Sequence, residues 1–302
     1  MRTLLLGARG AVGSVVRDQL LRAGHDVTRA GRTAEADAVI DLHGGDLDAL
    51  STLTEEHDVV VNASGVERVD LARATGRTPL IEISATGRYL DALRSVAPEH
   101  AVVLGAGLIP GLSTVMVQSL RADTGDDVDV LVMLGSGEHH GPAAVDWTAN
   151  LVGTDVYAPP EDGRVRNLTT SVRATGPDGR TRRYLRADFP DHVLVGGTNG
   201  PRIRAYLTLS SAPMTVALGL VGRLPALRGA MASSPHLGSA DWHLLVRNRR
   251  TSEQRHARGT GQSEATGRLT ALAAIRAAQN TPPGPVTMAD LVTLDEALEV
   301  LD

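Results

Sequence analysis

The chain has 302 residues, 42% apolar and 22% charged, with a formal net charge of −5; this excludes a disordered chain, a collagen and a coiled coil, and dispersed arginine without a basic patch disfavours nucleic-acid binding. Cysteine is absent and all 30 Lys-plus-Arg positions are arginine, which excludes disulfides, thiolate metal ligands, a Cys nucleophile, Schiff-base chemistry and a P-loop lysine. No apolar run reaches the roughly 18 residues of a membrane span, and residues 1–7 read as a strand rather than a signal peptide, so a cytoplasmic chain is expected.

Residues 2–6 form a short apolar run ending at Gly7, the pattern of a buried strand. Val12, Val15, Val16 and Leu20 then recur at helical spacing up to the stop at Gly24. Further strands are expected at 26–30, 38–42, 58–62, 80–84 and 101–104. Strands and helices alternating at this rhythm predict an α/β, doubly wound parallel sheet. Beyond about Asp123 the texture changes. A strand is expected at 128–134, a helix at 142–151, and a hairpin of 164–172 and 180–187 around Gly176-Pro177-Asp178-Gly179. Residues 201–210 alternate, with Ile203, Ala205, Leu207 and Leu209 on one face and Arg202, Arg204, Tyr206 and Thr208 on the other, as in a half-buried antiparallel strand. An apolar helix at 213–231, a strand at 242–247, a late helix around Leu269, Leu272 and Ile275, a Pro-Gly loop at 282–285 and a terminal helix at 294–301 complete the chain. Six of the seven aromatics fall between Trp147 and Trp242, which suggests that substrate contacts lie in the second half.

Gly7-Ala8-Arg9-Gly10-Ala11-Val12-Gly13 stands between a strand and a helix. One glycine there permits a left-handed turn, a second lets backbone approach a pyrophosphate, and a third lets helix pack on strand, while the helix N-terminus offers free amides. This predicts a dinucleotide site. An NAD enzyme usually carries a carboxylate at the end of the second strand; here Arg29, Arg32 and Thr33 stand there, suited to a 2′-phosphate, with Arg32 preferred because it follows a glycine in the loop, so NADP(H) is expected. Asp41 and Leu42 would flank the adenine, and Asn62, Ala63, Ser64 and Gly65 the ribose and nicotinamide side.

The glycine loop, Ala30-Gly31-Arg32, Asn62-Ala63-Ser64-Gly65, Leu80-Ile81-Glu82-Ile83-Ser84 and Gly105-Ala106-Gly107-Leu108-Ile109-Pro110-Gly111, in that order, resemble the saccharopine dehydrogenase-like NAD(P)-binding reductases. The resemblance covers 1–118 well and 262–302 moderately. It implies a Rossmann domain of 1–123 with 262–302, whose C-terminal helix returns to it. A second α+β domain at 124–261, built on an open antiparallel sheet, would serve substrate binding and dimerisation, giving a homodimer. The chain departs from the family's pattern at Glu82, where many members have Asp, and at Leu108-Ile109, where many have Phe before Pro-Gly.

Hydride transfer also needs a proton source and orienting groups. Glu82 and Ser84, at the end of a parallel strand, are expected to open onto the crevice as acid or anchor. Gly105, Gly107, Leu108 and Pro110 are expected to border the cofactor, with backbone amides of 107–111 available to a carboxylate or carboxamide. His139, in Glu138-His139-His140, is a proton-donor candidate, and no metal site is expected. Tyr206 with Arg202 and Arg204 forms either a carboxylate-binding face or an ordinary solvated one; Tyr184, Arg186 and His192 are weaker candidates. The expected function is an NADP(H)-dependent reductase acting on C=N or C=O in a small metabolite of specialised metabolism. The rivals are a non-catalytic NADPH sensor or scaffold, and a cyclase or epimerase that uses nicotinamide without net turnover.

Overall fold

The computed structural model describes the chain apart from residues 45–46, 97–100, 138–141, 198–199 and 234–237; for 142–145 and 230–233 it describes the backbone alone. The elements run β1 (Arg2–Leu6), α1 (Ala11–Arg22), β2 (Asp26–Gly31), β3 (Ala38–Val39), α2 (Asp48–Thr54), β4 (Val59–Asn62), α3 (Leu71–Ala74), β5 (Leu80–Glu82), α4 (Gly87–Val96), β6 (Val102–Leu104) and α5 (Leu112–Ser119). They continue with β7 (Asp127–Leu134), α6 (Pro142–Leu151), β8 (Ser171–Thr175), β9 (Thr181–Arg186), α7 (Asp191–Leu194), β10 (Arg202–Leu209), α8 (Ala212–Arg223), β11 (Asp241–Asn248) and β12 (Gln254–Thr260). The chain closes with α9 (Gln262–Asn280), β13 (Pro285–Thr287) and α10 (Leu294–Glu299). Two compact units result: Met1–Val115 with Ser263–Asp302, and Met116–Gln262.

The first unit holds a seven-stranded sheet in the order β13-β6-β5-β4-β1-β2-β3, with every pairing parallel. Leu4, Leu5, Val59–Val61, Leu80, Ile81 and Val102–Leu104 are fully buried, as continuous apolar strands covered on both faces must be. The sequence reverses its direction of travel across the sheet between β1 and β4, the switch point outside which ligands bind in such folds. The strand expected at 38–42 is cut to Ala38–Val39, because its partner β2 ends at Gly31, opposite Val39. Residues 285–287, expected as loop and tail, instead add β13 beside β6; Pro285 is tolerated because it opens an edge strand.

Helix α9 returns to this unit through close contacts. A Cβ on Gly267 would lie 2.5 Å from Val15 Cβ of α1, and Thr270 Oγ1 donates to the Ala106 carbonyl at 2.7 Å.

The second unit holds a six-stranded sheet, β12-β11-β7-β10-β9-β8. It is mixed rather than antiparallel. β10 runs parallel to β7 (Tyr206 opposite Leu131) and antiparallel to β9, since the chain crosses over through the hairpin and α7 before entering β10 from the same end as β7. The hairpin's first strand begins at Ser171; residues 164–170 form only a bridge between Asp155 and Arg166 and a turn. β12 escaped the sequence reading because it is an edge strand whose side chains are mostly exposed and polar.

The alternation of β10 holds, yet its polar face is also covered: Tyr206 and Thr208 are buried, and Tyr206 packs with Leu131, Ala174, Tyr184 and Leu245. No helix among the described residues is long and apolar enough to cross a membrane.

Gly267→Ala is expected to lower the unfolding free energy by about 1–3 kcal/mol, through overpacking of α9 on α1. Denaturant titration of the variant checks this.

Candidate dinucleotide cleft and the network behind it

The first residues after β1, β2, β3 and β4 line a cleft of about 220 Å³: Gly7–Gly10, Arg32 and Thr33, Leu42 and His43, and Ser64 are among them. Gly7 has φ +83°, and a Cβ there would stand 2.5 Å from the Ala63 carbonyl, so only glycine lets the β1 turn pass the end of β4. A Cβ on Gly13 would come within 2.2 Å of the Gly7 carbonyl oxygen; α1 therefore sits directly against the turn. Gly10 differs. A Cβ there would meet the Gly7 carbonyl oxygen at 3.4 Å and nothing nearer, so no contact within the protein requires glycine.

Gly10 caps α1 without a side-chain bond, and the amides of Ala11, Val12 and Gly13 have no partner among the described residues. These are the orphan donors of a helix start, where the helix dipole favours an anion.

The charged groups around the cleft are unequal. Arg29 is held by Asp37 through a two-pronged contact (2.9 and 2.6 Å), and Asp37 also accepts the Arg29 amide. These bonds draw the Asp37 carboxyl down to about 2. Arg9 pairs with Glu35 at 2.7 Å, both largely exposed. Arg32 is exposed and makes no hydrogen bond or ion pair among the described residues. Ile40 and Leu42 give the cleft an apolar wall, whereas Asp41 is exposed and turns its carboxylate to the His43 amide at 3.0 Å.

Behind the cleft, Asn62 and Ser64 belong to a hydrogen-bonded network centred on Glu82. Asn62 Oδ1 accepts from Ser64 Oγ (2.6 Å) and the Ser64 amide (3.2 Å); Asn62 Nδ2 donates to Glu82 Oε2 at 2.8 Å and to the Val66 carbonyl at 3.0 Å. Glu82 Oε2 also accepts from Tyr89 Oη (2.9 Å), and Oε1 from the Ser84 amide (2.9 Å). Glu82 is only 2% exposed and, like Ser84, does not line the cleft. This corrects the expectation of an open carboxylate: each oxygen is engaged, and the side chain ties β4, β5 and α4 together. Ser84 Oγ donates to Glu67 at 2.6 Å and accepts the Thr86 amide at 3.0 Å. Burial, opposed by the three donors, pushes the Glu82 carboxyl up to about 7.

The turn after β6 is closed on itself. The Gly105 and Ala106 amides donate to the Glu82 carbonyl (2.9 Å each), Gly107 N to the Pro110 carbonyl (2.9 Å) and Leu112 N to the Gly107 carbonyl (2.9 Å). A Cβ on Gly111 would meet the Gly107 carbonyl oxygen at 2.0 Å. Gly105, Gly107, Leu108 and Pro110 are buried. Of the amides of 107–111 expected to be available to a ligand, that of Gly107 is taken by the Pro110 carbonyl.

In the second unit, Tyr206 lies in the sheet with Arg249 at 3.4 Å from its hydroxyl. The arginines beside it are neutralised by carboxylates of the same unit: Arg202 by Asp127 (3.1 Å), Arg204 by Asp127 (2.6 Å) and Glu161 (3.1 Å), and Arg186 by Glu161 (3.3 Å). They form a charge-paired sheet face, not a free anion site. His192 is buried, its ring nitrogens against the Phe189 and Tyr157 carbonyls. His139 lies outside the described residues. Among the described residues, no group of three or more His, Asp or Glu converges as metal ligands. Sequence reading missed His243, whose Nε2 is hydrogen-bonded with Tyr184 Oη at 2.9 Å; burial lowers it to about 4 and raises Tyr184 to about 12. It also missed Arg68 and Tyr89, which no spacing signals.

Residues 3–129 match the family described as NAD dependent epimerase/dehydratase. A comparison with curated proteins finds no match. Among solved structures, the chain is similar to the WlbA (WbpB) dehydrogenase of Thermus thermophilus, solved with NAD and alpha-ketoglutarate. Identity is 13%, coverage 100% of this chain and 92% of that one, and the TM-score 0.42. It is also similar to the dipicolinate-bound dihydrodipicolinate reductase of Paenisporosarcina sp. TG-14, with 12% identity, 97% and 99% coverage and a TM-score of 0.40. Scores this low carry no argument about activity.

Glu82 folds preferentially in its protonated form, so its contribution to stability is complete below about 4.5, its ordinary value, and is lost as pH rises through about 7. The loss amounts to about 3 kcal/mol across that window. Denaturant unfolding at stepped pH is expected to show this decline in the parent protein and its absence in Glu82→Gln; parallel pH profiles of the two proteins would refute it.

Proposed function

We propose that the chain is an NADP(H)-dependent oxidoreductase that reduces a C=N or C=O bond of a small metabolite. The observation that carries this reading is the cleft at the switch point, lined by Gly10, which no contact within the protein requires, and by Arg32, which makes no ion pair among the described residues, with the free amides of the α1 start directly after Gly10. These residues fit a dinucleotide: the amides of 11–13 receive the pyrophosphate, Gly10 admits it closely, and Ile40 and Leu42 wall the adenine. Arg32 and Thr33 receive a 2′-phosphate, with Arg32 the principal cation because Asp37 already occupies Arg29. Ser64, fixed by Asn62, borders the ribose side. When bound, the nicotinamide supplies hydride to an electrophilic carbon, and the substrate nitrogen or oxygen takes up a proton. Glu82 acts in this scheme by holding Asn62 and the β5 loop.

A second reading, use of the nicotinamide in an epimerisation without net turnover, is favoured by the match of residues 3–129 to the epimerase/dehydratase family. Loss of nicotinamide absorbance in step with substrate supports reduction; product formation at constant absorbance supports the second reading.

Calorimetric titration with NADPH and NADH tests the cofactor assignment. Arg32→Ala is expected to weaken NADPH by about 1–3 kcal/mol and to leave NADH nearly unchanged; equal loss for both removes the 2′-phosphate role. Gly10→Ala is expected to retain the parent's stability while losing about tenfold or more in NADPH affinity, and unchanged affinity would sink the pyrophosphate assignment.

A further inference from the structure

We infer that Arg68, which does not line the cleft, is a positioning residue that sets the adenosine end of it; the inference rests on the dinucleotide reading above. Arg68 lies between β4 and α3. Its Nε donates to Asp70 Oδ1 at 2.9 Å and its Nη2 to Asp70 Oδ2, a fork that fixes the guanidinium plane. Nη1, held by that fork, donates to the Leu42 carbonyl at 3.1 Å and to the Gly44 carbonyl. The turn that receives these bonds carries Leu42 and His43, both lining the cleft.

Apart from Arg68, the turn's polar contacts among the described residues are local: His43 N to Asp41 Oδ1 and Gly44 N to the Asp41 carbonyl. The ladder to β2 ends with Ile40 N donating to the Gly31 carbonyl. So the segment that walls the adenine has left the sheet, and Arg68 bonds it to the connection between β4 and α3. The Arg68 carbonyl in turn lies 3.3 Å from Tyr89 Oη and shares that hydroxyl's one proton with Glu82 Oε2. With four of its five N–H donors committed to Asp70 and two carbonyls, and its side chain only 20% exposed, Arg68 shapes the wall rather than binding phosphate.

The consequence is a split between the two halves of the adenosine diphosphate site. Pyrophosphate depends on Gly10 and the α1 amides; the adenine depends on the turn that Arg68 holds. The test uses the purified full chain with AMP, 2′,5′-ADP and inorganic pyrophosphate, each titrated directly or in competition with NADPH. In Arg68→Ala, the affinities for AMP and 2′,5′-ADP are expected to fall about tenfold or more while pyrophosphate stays within about twofold. Arg68→Lys keeps the charge without the fork and is expected to show the same split to a lesser degree, so the test survives if the alanine variant folds poorly. Unchanged nucleotide affinity in both variants, or an equal loss of pyrophosphate, overturns the inference while leaving the dinucleotide reading intact. Failure of the parent protein to bind NADPH or either nucleotide overturns the dinucleotide reading itself, and this inference with it.

Discussion

The first unit depends on one close approach: α1 sits so near the β1 turn that a Cβ on Gly13 would be 2.2 Å from the Gly7 carbonyl oxygen, and Gly7 in turn lies against Ala63. Packing of this closeness leaves no freedom in where α1 begins. The turn Gly7–Gly10 thereby forms the floor of the cleft, and the amides of the helix start that follows it have no partner among the described residues. Two of the three glycines are explained by contacts within the protein. The third is not; in the proposed function it is the pyrophosphate that would need glycine there.

Behind this floor, the parallel strands end in loops that must be held without a sheet to pair with. A buried carboxylate does this work. Glu82 receives Asn62, Tyr89 and the Ser84 amide through its side chain, and its carbonyl receives the amides of Gly105 and Ala106. A buried carboxyl is tolerated only where its lone pairs are satisfied, and here its side-chain donors come from the ends of β4 and β5 and from α4. Arg68 extends the same logic to the turn after β3. The rigidity of the cleft thus comes from buried polar groups at strand ends rather than from apolar packing alone.

The second unit solves a different problem. Its mixed sheet carries charge on one face, where Arg186, Arg202, Arg204 and Arg247 meet carboxylates. The fully buried Asp129 takes Arg247 at 2.8 Å and Arg249 at 2.7 Å, and Tyr184 and His243 satisfy each other as neutral groups. Removing one partner of such a buried pair leaves an uncompensated charge, so the unit's polar interior is specified pair by pair.

The sequence by itself determined the doubly wound sheet, the glycine loop and its place at the start of α1, and the absence of a carboxylate at the end of β2. These are local: strand and helix periods, glycine spacing and residue type are written in consecutive residues. It also placed most strands of the second half. It did not determine that β10 would run parallel to β7, that Pro285–Thr287 would become an edge strand, or that β3 would stop where β2 stops, because strand pairing depends on what lies alongside in space. It preferred Arg32 to Arg29 only because Arg32 follows a glycine; the physical difference comes from the tertiary structure, which brings Asp37 against Arg29 and leaves Arg32 without an ion pair among the described residues. The same holds for Glu82, which reads as an open carboxylate from its place at the end of a parallel strand. Its burial, and the partners Asn62 and Tyr89 that make it an anchor, arise from residues 20 positions before and 7 after it meeting at one point, a convergence that no local pattern encodes.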